Sequence, residues 1–484
     1  MIRVAVVGGG IAGLAAAHHL ADRPDVRVTV CEAAARLGGK IRTEDFADVS
    51  LDLGPDAFLA RRPEAVELCR ELGLDGELVP PATSTAYVWR RGRLRRLPAG
   101  LVLGVPTRLG SLARSRVLSP WGWSRVALEP LLPGRKLRGD EALGAVVRRR
   151  LGNEAHHRLV DPLVGGINAG DTDQLSIEMT APSLATAARA GCSLVRGAAR
   201  VARAGSVPGC PTAHRGRPAV GADEPAQGPV FLTLPGGLGC LVEALEFRLV
   251  GAGAEVRTGA PVTVLEPTGR RGYRLHLETG VLEADAVVLA TPAHDAAPLL
   301  APHAPGSAAT LASLGYASVA LVALAFPPLP VGARVPPLDG SGFLVARGEG
   351  RLMTACSWAS SKWSHLDRGD QVVLRVSAGR AGDARVEALD DDALVDRLRL
   401  ELGESLGITV APSQVRVARW TRAFPQYAPG HRPRMAAAEA ELRRRLPGVV
   451  LAGAALAGVG LPACIASGRR AAELATAVPE QAPG

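Results

Sequence analysis

The feature that most constrains this chain is a glycine-rich turn between an apolar strand and a helix at the start of the sequence. Ile2–Val7 is a β-branched run of strand length that leads directly into Gly-Gly-Gly-Ile-Ala-Gly at residues 8–13. Residues 14–20 have a helical pattern, residues 26–30 predict a second strand, and Glu32 follows that strand. Strand, glycine turn, helix, strand and acid, in this order, indicate a βαβ unit that binds an adenine dinucleotide.

Each residue of this unit has a physical reason to be there. Gly8 permits a tight turn, Gly10 lets the backbone approach a pyrophosphate, and Gly13 lets the helix pack closely on the strand. The helix amino terminus points N–H groups at the phosphates, and Glu32 follows at the spacing from which a carboxylate reaches a ribose. The alternative is a structural turn with an incidental glutamate. The predicted cofactor contacts are Gly8, Gly9, Gly10, Ile11, Ala12, Gly13 and Glu32.

A second turn, after Glu32, narrows the choice of dinucleotide. Residues 36–40 read Arg-Leu-Gly-Gly-Lys, an extension that NAD binding does not require. It resembles the extension found in flavoenzymes of the amine oxidase and phytoene desaturase superfamily, where it approaches the diphosphate and the flavin. The resemblance implies FAD as the cofactor. It adds contacts from Ala33, Arg36, Gly38, Gly39 and Lys40.

Further blocks along the chain resemble, in the same order, the protoporphyrinogen/coproporphyrinogen oxidase family of flavoenzymes. They are GPDAF at 54–58 with the helix that follows, VDPLVGGINAGD at 160–171, TLPGGL at 233–238, the tryptophan and PQY-GH block at 420–431, and GVGLPACI at 458–465. The chain departs from the family at Asn168, where an aromatic residue is expected, and at Ala463, where aspartate is usual.

In that family the Gly-Pro-Asp turn lies against the flavin, and the carboxy-terminal block returns to the ribityl and ring end of the cofactor. The resemblance therefore implies more FAD contacts in the middle and at the end of the chain. They are Gly54, Pro55, Asp56, Ala57, Val262, Trp420, Gly453, Val459, Gly460 and Leu461.

The predicted fold class is α/β, with a discontinuous Rossmann-like FAD-binding domain, a substrate domain built on a mixed or antiparallel sheet, and a helical insertion. The FAD-binding domain is predicted from residues 1–82, 229–300 and 415–484, and the substrate-binding domain from 83–99 and 301–414. Residues 100–197 are predicted to be the helical insertion. Residues 198–228, rich in Gly, Pro, Ala and Arg, are predicted to be a flexible surface loop.

Composition limits the classes of function. The 484 residues are 47% hydrophobic, which is enough for large cores in more than one domain. The net charge of +9 is spread along the chain, so it gives little support for a nucleic-acid partner but is compatible with polyanionic substrates or an anionic membrane surface. Seven scattered cysteines without zinc spacing favour a reduced cytoplasmic protein and no metal site. Residues 446–467 are uncharged, but their Pro and Gly residues favour strand, turn and helix over a membrane span.

The resemblance implies oxidation of a porphyrinogen to a porphyrin in heme biosynthesis, with oxygen as acceptor and hydrogen peroxide as product. Six hydrogens leave in three two-electron steps that side chains cannot accept, so no catalytic residue is predicted beyond the flavin. Coproporphyrinogen III is favoured over protoporphyrinogen IX because no membrane anchor is evident and the Arg-rich composition is typical of the bacterial branch that uses it. Arg61 and Arg62 are the candidates for binding its propionates, with a solvated helix start as the alternative.

Two other classes stay open. Another flavin amine oxidase or carotenoid desaturase would not carry GPDAF, VDPLVGGI and PQY-GH together, and a non-catalytic FAD-fold binding protein would be expected to lose the glycines and Glu32. Trp121 and Trp123, with the apolar residues 100–105, are compatible with a peripheral contact with the inner face of the membrane, but core packing of these residues is the favoured alternative. The predicted partners are a porphyrinogen, oxygen and a ferrochelatase that receives the product, with no nucleic acid.

Overall fold

The structure, a computed structural model, describes residues 1–132, 136–191, 193–204, 228–269, 272–328 and 338–477. In chain order the strands are β1 (Ile2–Val7), β2 (Val26–Cys31), β3 (Thr43–Phe46), β4 (Val49–Asp52), β5 (Phe58–Leu59), β6 (Tyr87–Arg90), β7 (Arg93–Arg96), β8 (Leu101–Val102), β9 (Val105–Pro106), β10 (Phe231–Leu232), β11 (Glu255–Arg257), β12 (Val262–Pro267), β13 (Tyr273–Leu277), β14 (Gly280–Ala284), β15 (Ala286–Leu289), β16 (Tyr316–Phe326), β17 (Gly342–Val345), β18 (Met353–Trp358), β19 (Val372–Ala378), β20 (Gln414–Pro425) and β21 (Val449–Leu451).

The α-helices are α1 (Ile11–Ala21), α2 (Pro63–Glu71), α3 (Leu109–Ser115), α4 (Pro120–Leu128), α5 (Leu143–Leu151), α6 (Asn153–Ala155), α7 (Gly166–Asn168), α8 (Ile177–Thr180), α9 (Pro182–Arg189), α10 (Leu194–Ala204), α11 (Gly239–Gly251), α12 (Ala293–Leu300), α13 (Pro305–Ala312), α14 (Ala359–Lys362), α15 (Arg385–Ala388), α16 (Asp391–Leu406), α17 (His431–Arg445), α18 (Ala454–Ala457) and α19 (Leu461–Thr476). Short 3₁₀ turns occupy Asp75–Glu77, Glu129–Leu131, Arg347–Glu349 and Ser364–Leu366, and His156–Gly165 is π-helical.

A five-stranded sheet in the order β11-β2-β1-β15-β21 forms the base of the molecule, and all its strand pairs are parallel. Side chains alternate across β1, and both faces are apolar. Val4 and Val6 pack in the core with α1 and α19, whereas Ala5 and Val7 pack in the core with α12 and α13. Helices on both faces of a parallel sheet confirm the predicted α/β class.

Helix α19 packs along α1 and runs in the same direction. Gly468 lies against the Ala12 carbonyl, where any Cβ would collide, and the Arg23 guanidinium reaches the Thr476 hydroxyl at 2.8 Å beyond the other end of α1. The amino termini of both helices therefore point toward the carboxyl ends of the parallel strands, the edge at which such sheets bind ligands.

A seven-stranded sheet in the order β20-β16-β19-β18-β17-β6-β7 forms the second layer, and only the β17–β6 pair is parallel. One face carries Val322 and Leu324 against α16, and the other carries Ala323 and Val373 against the β3–β4 ribbon. The predicted mixed sheet is present. It includes β20, however, because residues 414–420 and 424–425 pair with β16, so the predicted boundary at residue 415 falls inside a strand of this sheet.

The helices between α3 and α10 form a third region around their own core, which also includes the small β8–β9 ribbon. Helix α10 extends through Ala204, so residues 198–204 are helical and the predicted loop does not begin at 198. The reason is that Leu194, Val195 and Ala198 recur at helical spacing and are buried in this core. Residues 205–227 of the predicted loop lie outside the described residues.

The described part of the chain contains no helix that is both long enough and apolar enough to cross a lipid bilayer.

Candidate functional site

The glycine turn after β1 has the geometry that its sequence predicts. Gly8 has φ 107°, in the region that favours glycine, and a Cβ there would lie 3.0 Å from the Ala290 carbonyl. A Cβ on Gly13 would collide with the Gly8 carbonyl oxygen, so α1 packs tightly on β1 only with glycine at this position. A Cβ on Gly10 would have no atom within 4 Å. Gly10 therefore faces open space at the amino terminus of α1.

Glu32 holds this turn in place. Its Oε2 accepts the Gly9 N–H at 2.6 Å, and its Oε1 accepts the Ala34 N–H at 2.8 Å. A carboxylate offers about four lone-pair sites, so acceptor capacity remains for a hydroxyl group. The strand β12 begins close by, because Ala260 N–H donates to the Glu32 carbonyl at 2.9 Å, and Val262 packs near Cys31 at the end of β2.

The second turn lies directly against the first. Gly38 N–H donates to the Gly9 carbonyl at 2.8 Å, and a Cβ on Gly39 would lie 3.2 Å from the Gly10 Cα. Arg36 points its guanidinium at this turn and donates to the carbonyls of Leu37, Gly39 and Ile41 at 2.8–3.0 Å. Arg36 thus braces the turn, whereas Ala33 is exposed beside it.

Lys40 follows the second turn. It lies at the edge of the open space in front of Gly10, which we call the cleft. Protein surrounds the Lys40 side chain, although part of it stays exposed to solvent. Burial lowers the pKa of its ammonium group, and the nearby Cys464 and Asp295 oppose this shift. No hydrogen-bond acceptor or carboxylate in the described ranges pairs with its ammonium group. Cys464 lies in the first turn of α19, so Lys40 stands between the glycine turns and that helix start.

The carboxy-terminal segment closes the cleft on another side. Gly453 has φ 106°, and a Cβ there would lie 3.8 Å from the Ala12 Cβ and 3.9 Å from the Ala290 carbonyl oxygen. The Gly453 N–H is held by the Ser467 hydroxyl at 3.0 Å. Gly460 caps α19 and is exposed, Val459 is half-buried and Leu461 is buried. The first and last predicted segments therefore meet.

The Gly54-Pro55-Asp56-Ala57 turn joins this cleft to the seven-stranded sheet. The Asp56 carboxylate accepts the Lys362 ammonium and the Arg375 guanidinium, each at 2.7 Å, and the Trp363 indole N–H at 3.3 Å. Burial would raise the pKa of Asp56, but these two cations hold it well below its usual range. The Asp56 side chain therefore ties the turn to the seven-stranded sheet.

The backbone of the same turn is held as firmly. The Arg375 guanidinium donates to the Gly54 carbonyl at 2.6 Å, and the Trp420 indole N–H donates to the Leu53 carbonyl at 2.9 Å. A Cβ on Gly54 would collide with the Lys40 carbonyl oxygen, so glycine is needed where the two turns touch. Pro55 and Ala57 are half-buried.

Two polar side chains that the motifs did not identify also lie at this edge. Thr291 follows β15, and its buried hydroxyl has no hydrogen-bond partner in the described part of the chain. The same holds for Nδ1 of His294, whose ring contacts Tyr316 edge-on at 4.7 Å and whose pKa burial lowers. Their position after a parallel strand was the available signal, because ligands bind where such strands end.

The candidate substrate residues lie beside the Gly54 turn. Arg61 is half-buried and Arg62 is exposed, and both precede or cap the start of α2. The structure brings neither of them to the Gly10 side of the cleft by a described contact.

These features fit a bound dinucleotide. Buried polar atoms are normally hydrogen-bonded, so the hydroxyl of Thr291 and Nδ1 of His294 call for a partner that the protein does not supply. Gly10 leaves room for a phosphate at a helix start, and Lys40 supplies an unpaired positive charge nearby.

Comparison with known proteins agrees with this geometry. The family described as flavin containing amine oxidoreductase matches residues 11–476. The chain is 34% identical over 474 residues to the coproporphyrinogen III oxidase of Bacillus subtilis (strain 168), covering 97% of this chain and 96% of that protein. It is 33% identical over 487 residues to the protoporphyrinogen oxidase of Homo sapiens, covering 97% of each.

A solved structure of another protein is similar to this chain over nearly its whole length. The crystal structure of a protein from Exiguobacterium sp. 255-15, provisionally named a protoporphyrinogen oxidase, matches with a TM-score of 0.83 and 33% identity, covering 98% of both chains. The chain therefore belongs to the flavin-containing amine oxidoreductase family, and its cofactor is a flavin.

Proposed function

We propose that this chain oxidises coproporphyrinogen III to coproporphyrin III in heme biosynthesis, with FAD as cofactor, oxygen as acceptor and hydrogen peroxide as product. The observation that carries the proposal is similarity over nearly the whole chain to proteins named coproporphyrinogen III oxidase, including one from Mycobacterium bovis at 37% identity over 471 residues. Protoporphyrinogen IX is the second candidate substrate, because the human relative carries that name.

FAD is favoured over a smaller flavin because the cleft has parts suited to each portion of a dinucleotide. Glu32 keeps acceptor capacity for the hydroxyls of an adenosine ribose, and Val262 lies near it. The helix starts at Gly10 and Gly460 suit the diphosphate and the far end of the cofactor. When bound, the flavin supplies the two-electron acceptor that oxygen can regenerate.

The residues of the chain position the reactants and exclude water. Arg36 stiffens the second glycine turn, while Asp56, Lys362 and Arg375 fix the turn at residue 54 against the seven-stranded sheet. A carbon bridge of the macrocycle would donate hydride, and a pyrrole nitrogen would release a proton. Burial lowers the pKa of His294 and so favours its neutral form, and its Nδ1 has no hydrogen-bond partner among the described residues, so this ring is the candidate proton acceptor near the cleft.

Of the predicted membrane contact, Trp121 is 87% exposed, and Leu128, Leu131 and Leu132, which follow it in the chain, are exposed as well. The prediction is wrong for Trp123 and for the apolar residues 101–105, because they lie in or against the core of the helical region. The single acid between residues 100 and 139 is Glu129, which is buried and paired with Arg150 at 3.0 Å, whereas Arg114, Arg116 and Lys136 are exposed. An apolar patch with basic neighbours favours an anionic bilayer surface.

The remaining partners follow from the chemistry. Coproporphyrin III would be handed to a ferrochelatase, which inserts iron into a porphyrin. The scattered cysteines support a reducing compartment, the cytoplasm, and the Trp121 patch would allow a peripheral contact with the inner face of the membrane.

The deciding experiment is to supply the purified yellow protein with coproporphyrinogen III and, separately, with protoporphyrinogen IX under air. We expect porphyrin fluorescence to rise faster with coproporphyrinogen III and three molecules of hydrogen peroxide to form for each porphyrin. A colourless protein, or a flavoprotein that oxidises neither compound, would refute the proposal. Faster oxidation of protoporphyrinogen IX would favour the second candidate.

A further inference from the structure

Arg380 carries a positive charge just after strand β19 and has no side-chain partner among the described residues. It follows β19 after the left-handed residue Gly379, which has φ 92°, and it is half-buried. Burial and the nearby Arg347 lower its pKa, whereas the carboxylates of Asp161 and Asp383 act in the opposite direction. In the described ranges no carbonyl, hydroxyl or carboxylate lies within hydrogen-bonding or ion-pairing distance of its side chain. Water solvates the exposed part of this guanidinium, so an anionic ligand that displaces the water can pair with it.

The carboxylates closest to Arg380 are already engaged. Asp383 is bound by the Arg385 guanidinium at 2.6–2.8 Å. Asp161 accepts the Thr172 hydroxyl at 2.7 Å, and that hydroxyl in turn contacts His156 at 2.8 Å. Because both acids have other partners, the positive charge of Arg380 is available to an incoming anion.

The surroundings hold Arg380 in place without using its side chain. The Ala381 N–H donates to the Ala169 carbonyl at 2.7 Å. Arg347 donates to the Gly170 carbonyl at 3.1 Å and faces Asp171 at 3.9 Å. Arg380 therefore sits at the seam between the end of β19 and the block at residues 160–171.

The same seam presents apolar surface. Ile167 is 55% exposed on one side, and Leu344 of β17 is half-buried on the other, where a Cβ on Gly166 would lie 3.7 Å from its Cδ2. An apolar surface beside one unpaired cation suits an apolar ring that carries a carboxylate arm.

The strand β19 links this seam to the cofactor cleft. Val373 packs against the β3–β4 ribbon and Arg375 reaches Asp56 and Gly54, so the odd-numbered residues face the cleft, and Ser377 continues that face. Strand β19 ends at Ala378, and the left-handed Gly379 turns the chain before Arg380, so Arg380 does not follow the alternation of the strand. The seam meets the carboxy-terminal side of the cleft through the next block, because Gln426 Nε2 donates to the Asn168 carbonyl at 3.0 Å and the Tyr427 hydroxyl donates to the Ala454 carbonyl at 2.6 Å.

We propose that Arg380 binds a propionate carboxylate that coproporphyrinogen III has and protoporphyrinogen IX lacks, and so determines which porphyrinogen the chain prefers. This inference rests on the proposed function. Protoporphyrinogen IX carries vinyl groups in place of two of the four propionates, and a vinyl group cannot accept a hydrogen bond from guanidinium. Arg380 would then stabilise the tetracarboxylate selectively.

The test uses the flavin-loaded full chain and the porphyrins coproporphyrin III and protoporphyrin IX as fluorescent probes. We expect Arg380→Met to weaken coproporphyrin III binding by about 10- to 100-fold, the loss of a charged hydrogen bond. Protoporphyrin IX binding should change by less than about threefold. Arg380→Lys should recover part of the loss. The control is Arg445→Met, because Arg445 binds Glu441 at 3.2 Å on the exposed surface of α17, and it should alter neither affinity.

An equal loss for both porphyrins, or an unchanged affinity for coproporphyrin III, would overturn the inference, provided that flavin content and Tm match the parent. If Arg380→Met lowers the Tm, Arg380→Gln supplies the same comparison without an apolar side chain at the seam. Porphyrin binding is measured without turnover. A parent protein that binds coproporphyrin III through Arg380 but oxidises neither porphyrinogen would refute the proposed function and support this inference.

Discussion

Gly10 and Gly13 lie three residues apart on the same turn, yet they require glycine for different reasons. A Cβ on Gly10 enters open space, and its φ of −73° suits any residue, whereas a Cβ on Gly13 collides with the Gly8 carbonyl. We therefore expect Gly10→Val to fold but to lose its flavin, because the side chain fills the space for the phosphate. Gly13→Val should lose folding stability. Absorbance at flavin wavelengths and thermal melts of both variants check this, and stoichiometric flavin in Gly10→Val would contradict it.

Asp52 is a second residue whose behaviour follows from its immediate surroundings. Its side chain is 6% exposed, accepts the Thr43 hydroxyl at 2.5 Å and the Leu238 N–H at 3.0 Å, and burial raises its pKa from 3.8 to about 6. The folded protein thus binds this proton more tightly than the unfolded chain does. The stability that the group contributes is complete below pH 4 and is lost as the pH rises through 6.

The variant Asp52→Asn has no charge to bury and keeps an acceptor oxygen. Relative to the parent, its free energy of unfolding should increase by about 2–3 kcal/mol between pH 4 and pH 7. Urea unfolding at both pH values measures the difference. A difference that does not depend on pH would show that Asp52 does not titrate in this range.

At the scale of elements, the joint between the Gly54 turn and the seven-stranded sheet depends on one carboxylate. Asp56 meets Lys362 of α14 and Arg375 of β19, whose side chains are 17% and 5% exposed. Asp56→Asn would leave two largely buried cations without their counter-charge. We expect the free energy of unfolding to fall by about 2–4 kcal/mol.

A double-mutant cycle tests that joint. Adding Lys362→Met to Asp56→Asn removes one of the two stranded cations, so the combined loss should be smaller than the sum of the single losses. Additive effects, or a loss for Asp56→Asn below about 0.5 kcal/mol, would place this ion pair among the weak surface pairs.

At the scale of the whole molecule, the cofactor cleft is assembled from parts that are distant in the chain. Residues 8–13, 32–40, 290–294 and 453–461 all contribute to it, and the turn at 54–57 connects it to the second sheet. A ligand that contacts all of these parts binds the folded chain and not the unfolded one, so it stabilises the fold as a unit.

We therefore expect the Tm to rise with free FAD, with a stabilisation of about 2.7 kcal/mol at a concentration 100 times the Kd. ADP, which can occupy only the part near Gly10 and Glu32, should stabilise less. Thermal melts of flavin-stripped protein across a series of concentrations measure both effects. A Tm that does not respond to FAD would mean that the distant segments do not share one ligand.

The sequence by itself determined the parts of this protein whose requirements are local. The βαβ unit, its two glycine turns and Glu32 lie within the first 40 residues. The turns need glycine because it has no Cβ, and the spacing to Glu32 is short, so neighbouring residues are enough to predict this unit. Apolar periodicity reports which face of an element is buried, and on that basis the mixed sheet could be predicted, but the place of β20 at its edge could not.

Only the tertiary structure decided which distant groups meet. Asp56 and Lys362 are 306 positions apart, and no local pattern pairs them. Trp420 pairs with β16 and also reaches the Leu53 carbonyl, a contact that joins two distant parts of the chain. Arg36 binds the carbonyls of its own turn, whereas Thr291 and Arg380 have no side-chain partner among the described residues. These outcomes depend on how the entire chain folds around each side chain.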